Sequence, residues 1–212
     1  MKNFILFLVA LVVTVQMTAQ SQAETFIKEA QAYLAQKDYK QAQLSLQDAI
    51  NDINNVLAQQ ISQSFPAEIN GLKANEDNGN STNTATMGMM GGGMTISKTY
   101  QHPTKKENSA EINIIANSPM MSMMSMYMNN PAVMGQGYKS IRVGTRRGIL
   151  KSEMQDSYGD NGNSKQIRST ELQIPLTQTL ITINLKGFAT EADELAFAAK
   201  LDIEKLRVSL GE

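Results

Sequence analysis

The sequence predicts an α+β fold, because its apolar residues change spacing twice along the chain. They recur every three or four residues over 24–66, alternate with polar residues from Met94 onward, and return to helical spacing after Thr190. We therefore expect an N-terminal helical hairpin (24–66), followed by an antiparallel β-sheet domain (94–212) with a C-terminal helix. A methionine-rich segment interrupts the sheet region and predicts one inserted helix.

Residues 1–23 have the pattern of a signal peptide. Lys2 supplies the positive charge, and an uncharged apolar stretch covers residues 4–15. A membrane-spanning helix needs about 20 apolar residues, so this stretch is too short to cross a bilayer. A polar region that contains small residues follows this stretch. It predicts cleavage after Ala23, with cleavage after Ala19 as the alternative. The expected location is the periplasm or the outside of the cell, with no transmembrane span in the mature chain.

Composition limits the classes of function that the chain can have. Its 212 residues carry a formal net charge of −1. Nucleic acid is therefore not expected as a partner, because binding it needs a concentrated basic surface. The chain has no cysteine, so it has no disulfide, no thiolate metal site and no thiol nucleophile.

The first predicted element is a pair of helices whose spacing resembles one tetratricopeptide-type hairpin of about 34 residues. Lys37 stands where such a hairpin usually has a turn glycine, and the chain contains no second copy. A solenoid needs about three stacked repeats to bury its faces, so we expect a lone amphipathic hairpin that docks on something. The residues expected on the apolar faces are Phe26, Ile27, Ala30, Tyr33, Leu34, Ala42, Leu46, Ala49, Ile50, Ile53, Val56 and Leu57.

A polar segment and a series of strands are expected next. Residues 67–93 lack apolar periodicity and predict a flexible linker rich in Asn, Gly and Met. Beyond it, alternation over 94–100 and 112–114 indicates strands, and residues 160–163 have the composition of a hairpin turn. Thr190 followed by acidic residues predicts the start of the closing helix. Further strands are expected over 140–143, 147–154, 166–174 and 180–185.

Four sequence features together resemble a family of exported bacterial proteins. They are the N-terminal helical hairpin, the Gly-Gly-Gly-x-x-x-Ser-Lys-x-Tyr strand at 91–100, the Ile-x-Ile-x-Ala-x-Ser-Pro segment at 112–119, and the Leu-Asp-Ile-x-x-Leu ending at 201–206. The resemblance spans most of the mature chain. It implies the same domain plan and carries no activity or site residue to this chain.

The methionine-rich segment is the candidate binding site. Seven of the fourteen methionines lie over 120–134, and only Ser122 and Ser125 give the predicted helix a polar stripe. A helix that is apolar nearly all round needs cover on two sides. One side can pack on the sheet, which leaves the other for a protein partner or an apolar ligand. The candidate residues are Met120, Met121, Met123, Met124, Met126, Tyr127 and Met128.

Two other interpretations of this segment stay open. The chain's own hairpin could cover the second side of the helix, because satisfied cores are commoner than open patches. A lipid surface or a membrane-associated partner could also cover it, although the flanks lack the Lys and Arg that anchor interfacial helices.

Copper binding is the first alternative function. Thioethers are soft donors that suit Cu(I), and Met87, Met89, Met90, Met94 and the single His102 could supply them. One histidine is too few for a zinc triad. No other cofactor is expected.

An enzyme of unknown type is the second alternative, and we do not expect one. The sequence has no nucleophile elbow and no phosphate-binding loop after a strand. Catalysis would require a polar cleft with converging carboxylates.

One basic cluster predicts a solvated sheet edge, or else a contact with an anionic lipid or glycan. Its members are Lys139, Arg142, Arg146, Arg147 and Lys151.

Overall fold

The structure is a computed structural model that describes residues 22–75, 93–117, 135–158 and 164–212. The chain divides into two compact units, residues 1–54 and residues 55–212. The predicted signal peptide up to residue 21, most of the predicted linker and the methionine-rich segment lie outside the described residues.

The first unit is a helical hairpin. Helix α1 covers Gln22–Ala35, and helix α2 begins in this unit and covers Tyr39–Ser64. Lys37 in the connecting turn has φ 61, the left-handed conformation that a glycine usually supplies there. The Asp38 carboxylate then accepts the N–H of Gln41 at 3.1 Å and caps α2.

The second unit is built on one eight-stranded antiparallel sheet. Its order is β1-β2-β3-β4-β8-β7-β6-β5, so neighbouring strands are neighbours in sequence except where β8 lies beside β4. The strands are β1 Glu68–Ile69, β2 Leu72–Ala74, β3 Met94–Gln101, β4 Ser109–Ala116, β5 Tyr138–Val143, β6 Arg146–Tyr158, β7 Ser164–Pro175 and β8 Leu180–Lys186.

One face of this sheet carries the core. Ile112, Ile183, Leu172 and Leu150 stand in register across four neighbouring strands, and each is fully buried. Helices α3 (Glu191–Ala199) and α4 (Ile203–Ser209) contribute Phe197, Leu206 and other residues to this core, as does the end of α2. The α+β fold class predicted from the sequence is therefore confirmed.

Aromatic contacts and one buried hydroxyl tie this core together. The Phe197 ring meets the edges of Tyr100 and Phe188, with centroids 5.6 and 5.8 Å apart. The Tyr100 hydroxyl donates to the Pro66 carbonyl oxygen at 2.8 Å. Burial raises the pKa of Tyr100 to about 12, because the charged phenolate is poorly solvated there.

The structure differs from the sequence prediction in two places. The first part of the predicted linker forms the β1–β2 hairpin, whose turn residues Asn70 and Gly71 have φ 51 and 82. Positive φ at both central positions is the type I′ turn that Asn-Gly favours. The predicted closing helix is divided in two, because Lys200 ends α3 and the Asp202 side chain caps α4 by accepting the N–H of Lys205.

Candidate functional site

The most distinctive surface of the first unit is made of large apolar side chains that face solvent. We call it the hairpin apolar surface and define it as Ile27, Leu34, Leu46, Ile50 and Ile53, each between 39% and 50% exposed. Monomeric proteins seldom expose a contiguous apolar patch without a function for it.

Small residues fill the contact between the two helices instead. The buried residues among those described in this unit are Ala23, Ala30, Ala42, Ser45, Ala49 and Asn54, and none of them is a large apolar residue. At the open end, the backbone N–H of Ala23 donates to the Asp52 carboxylate at 2.9 Å, which fixes α1 antiparallel to α2. The tetratricopeptide-type spacing predicts Leu46, Ala49 and Ile50 on the packed face of α2. Ala49 is buried as predicted, whereas Leu46 and Ile50 are exposed, because the alanine stripe packs and the adjacent stripe of large residues does not.

Both rows of the hairpin apolar surface lie on the same side of the hairpin. An α-helix has 3.6 residues per turn, so each residue is rotated by about 100° about the helix axis from the one before it. On α1, the exposed pair is rotated by about 40° from the buried alanines, in the direction of rising residue number. On α2, the exposed row is rotated by about 70° from the buried small residues, in the same direction along the chain. Antiparallel helices turn in opposite senses when viewed from one end. The two offsets therefore bring Ile27 and Leu34 to the same side as Leu46, Ile50 and Ile53.

A sequence signal for this arrangement exists. Ala23 and Ala30 are seven residues apart, and so are Ala42 and Ala49. A small residue repeated every seven positions marks the seam along which two helices approach closely. The large apolar residues beside such a seam are then left without cover from the partner helix.

The methionine-rich candidate site is not described by the structure. Met120, Met121, Met123, Met124, Met126, Tyr127 and Met128 all lie within 118–134, outside the described residues. The same holds for Met87, Met89 and Met90 of the copper alternative. A methionine-rich binding helix and a copper site at these positions stay predictions from the sequence.

Met94 and His102, the other two residues of the copper alternative, lie far apart, and each already has contacts within the protein. Met94 is fully buried in the sheet core. His102 follows the far end of the same strand, and eight residues of antiparallel strand span about 27 Å. The Nδ1 atom of His102 accepts the N–H groups of Thr104 and Lys105 at 3.2 and 3.1 Å, which closes a loop turn. Met94 and His102 therefore cannot bind one ion together.

A buried carboxylate lies between α3 and the sheet. Glu194 is fully buried, and its Oε1 atom accepts hydrogen bonds from Arg168 Nε at 2.9 Å and from Thr170 Oγ1 at 2.7 Å. The Arg168 guanidinium also donates to Ser152 and Glu191. This network fixes α3 on the sheet. Sequence analysis missed it, because it treated Glu194 only as an acidic residue in the first turn of a helix.

A second ion-pair group joins the β5–β6 turn to α4. Arg146 donates to both carboxylate oxygens of Glu204, at 2.6 and 3.0 Å, while Thr145 and Arg207 donate at 2.9 Å each. Hydrogen bonds from Arg146, then from Arg207 and Thr145, lower the pKa of Glu204 to about 2. A cavity of about 390 Å³ borders this group.

The predicted basic cluster is partly neutralised in this way. Lys139 pairs with Glu191, and Lys151 lies 3.5 Å from Glu153 and over the Tyr138 ring. With Arg146 bound to Glu204, three of its five cations have carboxylate partners. The structure thus favours the solvated sheet edge over a site for anions.

The open face of the sheet has a shallow depression of about 310 Å³. Glu111, Glu153 and Glu171 line it with Lys151. A hydrogen bond from Gln155, with the Lys151 charge, lowers the pKa of Glu153. A general acid needs the opposite shift, so this carboxylate is arranged as part of a surface ion pair.

The described residues offer neither a metal-binding cluster nor a membrane-spanning helix. No group of three or more His, Cys, Asp or Glu side chains in the described ranges is placed to hold a metal ion. None of the helices described by the structure combines the length and apolar character that a membrane crossing requires.

Comparison with known proteins adds no assignment. No protein-family model matches the chain, and no curated protein matches it. The chain is similar to a crystal structure of a protein from Bacteroides thetaiotaomicron VPI-5482, with 9% identity and a TM-score of 0.42. That match covers 59% of this chain and 40% of the other, so the chain spans less than half of that protein's length. A likeness of this size supplies no function.

Proposed function

We propose that the protein is an exported, non-catalytic binding protein that engages an apolar helical segment of a partner protein through the hairpin apolar surface. The observation that carries this proposal is the inverted packing of the hairpin, with alanines inside and Ile27, Leu34, Leu46, Ile50 and Ile53 outside. An amphipathic helix laid along such a face is a common recognition mode. Export is supported by the signal-peptide pattern at the N-terminus. Because Ala23 is buried in the hairpin and its N–H donates to Asp52, we propose cleavage at the alternative site after Ala19, which leaves α1 intact.

The size of the surface indicates how tightly it can bind. Fully burying one large apolar side chain stabilises by about 1.5–3 kcal/mol, so covering a half-exposed one contributes about 1 kcal/mol. The five side chains together contribute about 5 kcal/mol, while association costs about 4–15 kcal/mol in lost freedom. The hairpin apolar surface alone thus supports only weak capture. The predicted Met120–Met128 helix is the candidate for the additional contact area.

The experiment uses a surface variant and a matched control on the same helix. Leu46→Asp with Ile50→Asp adds two charges to the surface, while Gln47→Asp with Asn51→Asp adds two charges with the same spacing at exposed polar positions about 100° further around α2. Each protein is used to capture envelope proteins, which mass spectrometry then identifies, and far-UV circular dichroism checks the fold.

The proposal requires a partner that wild type and the control retain and that the surface variant loses with its helical signal unchanged. Equal capture by all three proteins would contradict it. So would unfolding of the surface variant alone, because these side chains would then be covered within the molecule.

A further inference from the structure

Strand β6 is longer than the strand beside it. β5 pairs with residues 146–151 of β6, whereas β7 pairs with residues 149–158. Residues 152–158 therefore have a strand on one side only among the parts of the chain that the structure describes. Glu153, Met154, Gln155 and Asp156 in this stretch are exposed, with Met154 at 58%.

The backbone polar groups on this edge can be assigned from one hydrogen bond. The carbonyl oxygen of Arg168 accepts the N–H of Gly187 at 2.9 Å, so the polar groups of Arg168 point away from β6. Met154 stands directly opposite Arg168. In an antiparallel ladder, opposite residues either exchange both hydrogen bonds or both point away. The N–H and C=O of Met154 therefore face the edge of β6 that no described strand occupies. Ser152 and Asp156, two positions to either side, do the same.

The geometry points to a second copy of this chain as the occupant of this edge, paired antiparallel about a two-fold axis through Gln155. This register uses the whole free stretch of both copies. It places Met154 opposite Asp156 of the second copy and Ser152 opposite residue 158 of the second copy. All of these residues direct their polar groups outward, so the four pairs form about eight backbone hydrogen bonds.

Charge and exposure favour this register over its neighbours. Centring the pair on Gln155 places Glu153 opposite Ser157, and no two carboxylates face each other. Moving the axis to Asp156 would place that carboxylate directly opposite its own copy, which is destabilising. Moving the two-fold axis to Met154 leaves fewer residues of β6 paired between the two copies. The two-fold pairing also covers Met154, and closed two-fold dimers are the commonest homo-oligomers.

The test compares two substitutions of one residue. Met154→Pro removes the outward N–H, while the ladder between β6 and β7 keeps all its hydrogen bonds, because this N–H does not point to β7. Met154→Thr removes the same apolar side chain and keeps the N–H. Sedimentation equilibrium of the mature protein from micromolar to millimolar concentration measures dimer formation. Amide hydrogen exchange of the wild type measures protection at Met154 and Asp156.

The inference expects a dimer for the wild type and for Met154→Thr, and dimerisation weaker by about tenfold to a hundredfold for Met154→Pro, since each copy loses one donor. Protection of the Met154 and Asp156 amides should rise with protein concentration, a result that does not depend on how well the proline variant folds. A monomer at every concentration overturns the inference, and so does a dimer that Met154→Pro leaves unchanged. The dimer and the proposed function can be tested separately. The variant Leu46→Asp with Ile50→Asp should lose partner capture and still form the dimer.

Discussion

Removing the guanidinium that pairs with the buried carboxylate should be one of the most damaging single substitutions in the second unit. Arg168→Met keeps most of the side-chain volume and removes the charge. Glu194 would then retain only the Thr170 hydroxyl as a partner, and its Oε2 atom has none among the described residues. Breaking a buried ion pair by removing one member costs about 3–5 kcal/mol, so we expect the free energy of unfolding to fall by that amount.

Urea unfolding followed by far-UV circular dichroism measures this loss, with an unchanged m-value as the check that the folded state is otherwise the same. A control is Lys165→Met, since Lys165 is 73% exposed and lies 3.8 Å from Glu107. Exposed pairs of this kind contribute about 0–1 kcal/mol. The double variant Arg168→Met with Glu194→Gln should recover part of the loss, because it leaves no unpaired charge in the core.

The result that refutes this reasoning is equally specific. A loss below about 1 kcal/mol for Arg168→Met would mean that Glu194 is not held as a buried ion, since that cost is typical of an exposed pair. A double variant that loses the sum of the two single effects would mean that the two side chains do not interact.

Two further predictions concern the same unit. Tyr100→Phe removes the hydrogen bond to Pro66 and should lower the free energy of unfolding by about 1 kcal/mol in urea titrations at neutral pH. Burial raises the folded pKa of Tyr100 to about 12, so the stability that the neutral phenol contributes is complete below pH 10 and is lost as the pH rises toward 12. Over that range the free energy of unfolding of the wild type should fall by up to about 3 kcal/mol, and that of Tyr100→Phe should not. Gly187→Ala should lower the melting temperature, because Gly187 has φ 71 and a Cβ would lie 2.4 Å from the Glu107 carbonyl oxygen. An alanine tolerated there without a shift in melting temperature would show that this backbone approach is looser than described.

The parts of the fold that could be predicted from the sequence are those set by residues close together in the chain, such as alternating strands and helix caps. Alternation located strands such as β4, because Ile112 and Ile114 face the core while Asn113 faces outward. The Thr190 capping box was also a local signal, since its partner Asp193 lies three residues away. The Asn-Gly turn between β1 and β2 was equally local, and composition led us to treat that stretch as linker.

The parts that the sequence could not provide depend on distant partners. Glu194 is buried because Arg168, 26 residues earlier in the chain, reaches it across the sheet. Among the described strands, residues 152–158 of β6 have a partner on one side only because β5 stops opposite Lys151, which no pattern within β6 reveals. On α2, periodicity identified two adjacent stripes, and only the geometry of the pair shows that the alanine stripe makes the contact.

The alanine seam has a consequence for any affinity measured on this protein. A buried methyl group contributes about 0.8 kcal/mol, so a seam of alanines holds its two helices together with little free energy. We therefore expect this hairpin to open more easily than one packed on large side chains. For a ligand that binds only the closed hairpin, the observed dissociation constant equals the intrinsic one divided by the fraction of molecules in which the hairpin is formed. For the proposed partner, temperature and helix-stabilising cosolvents should therefore change the measured affinity through that fraction, even where the hairpin apolar surface itself is unchanged.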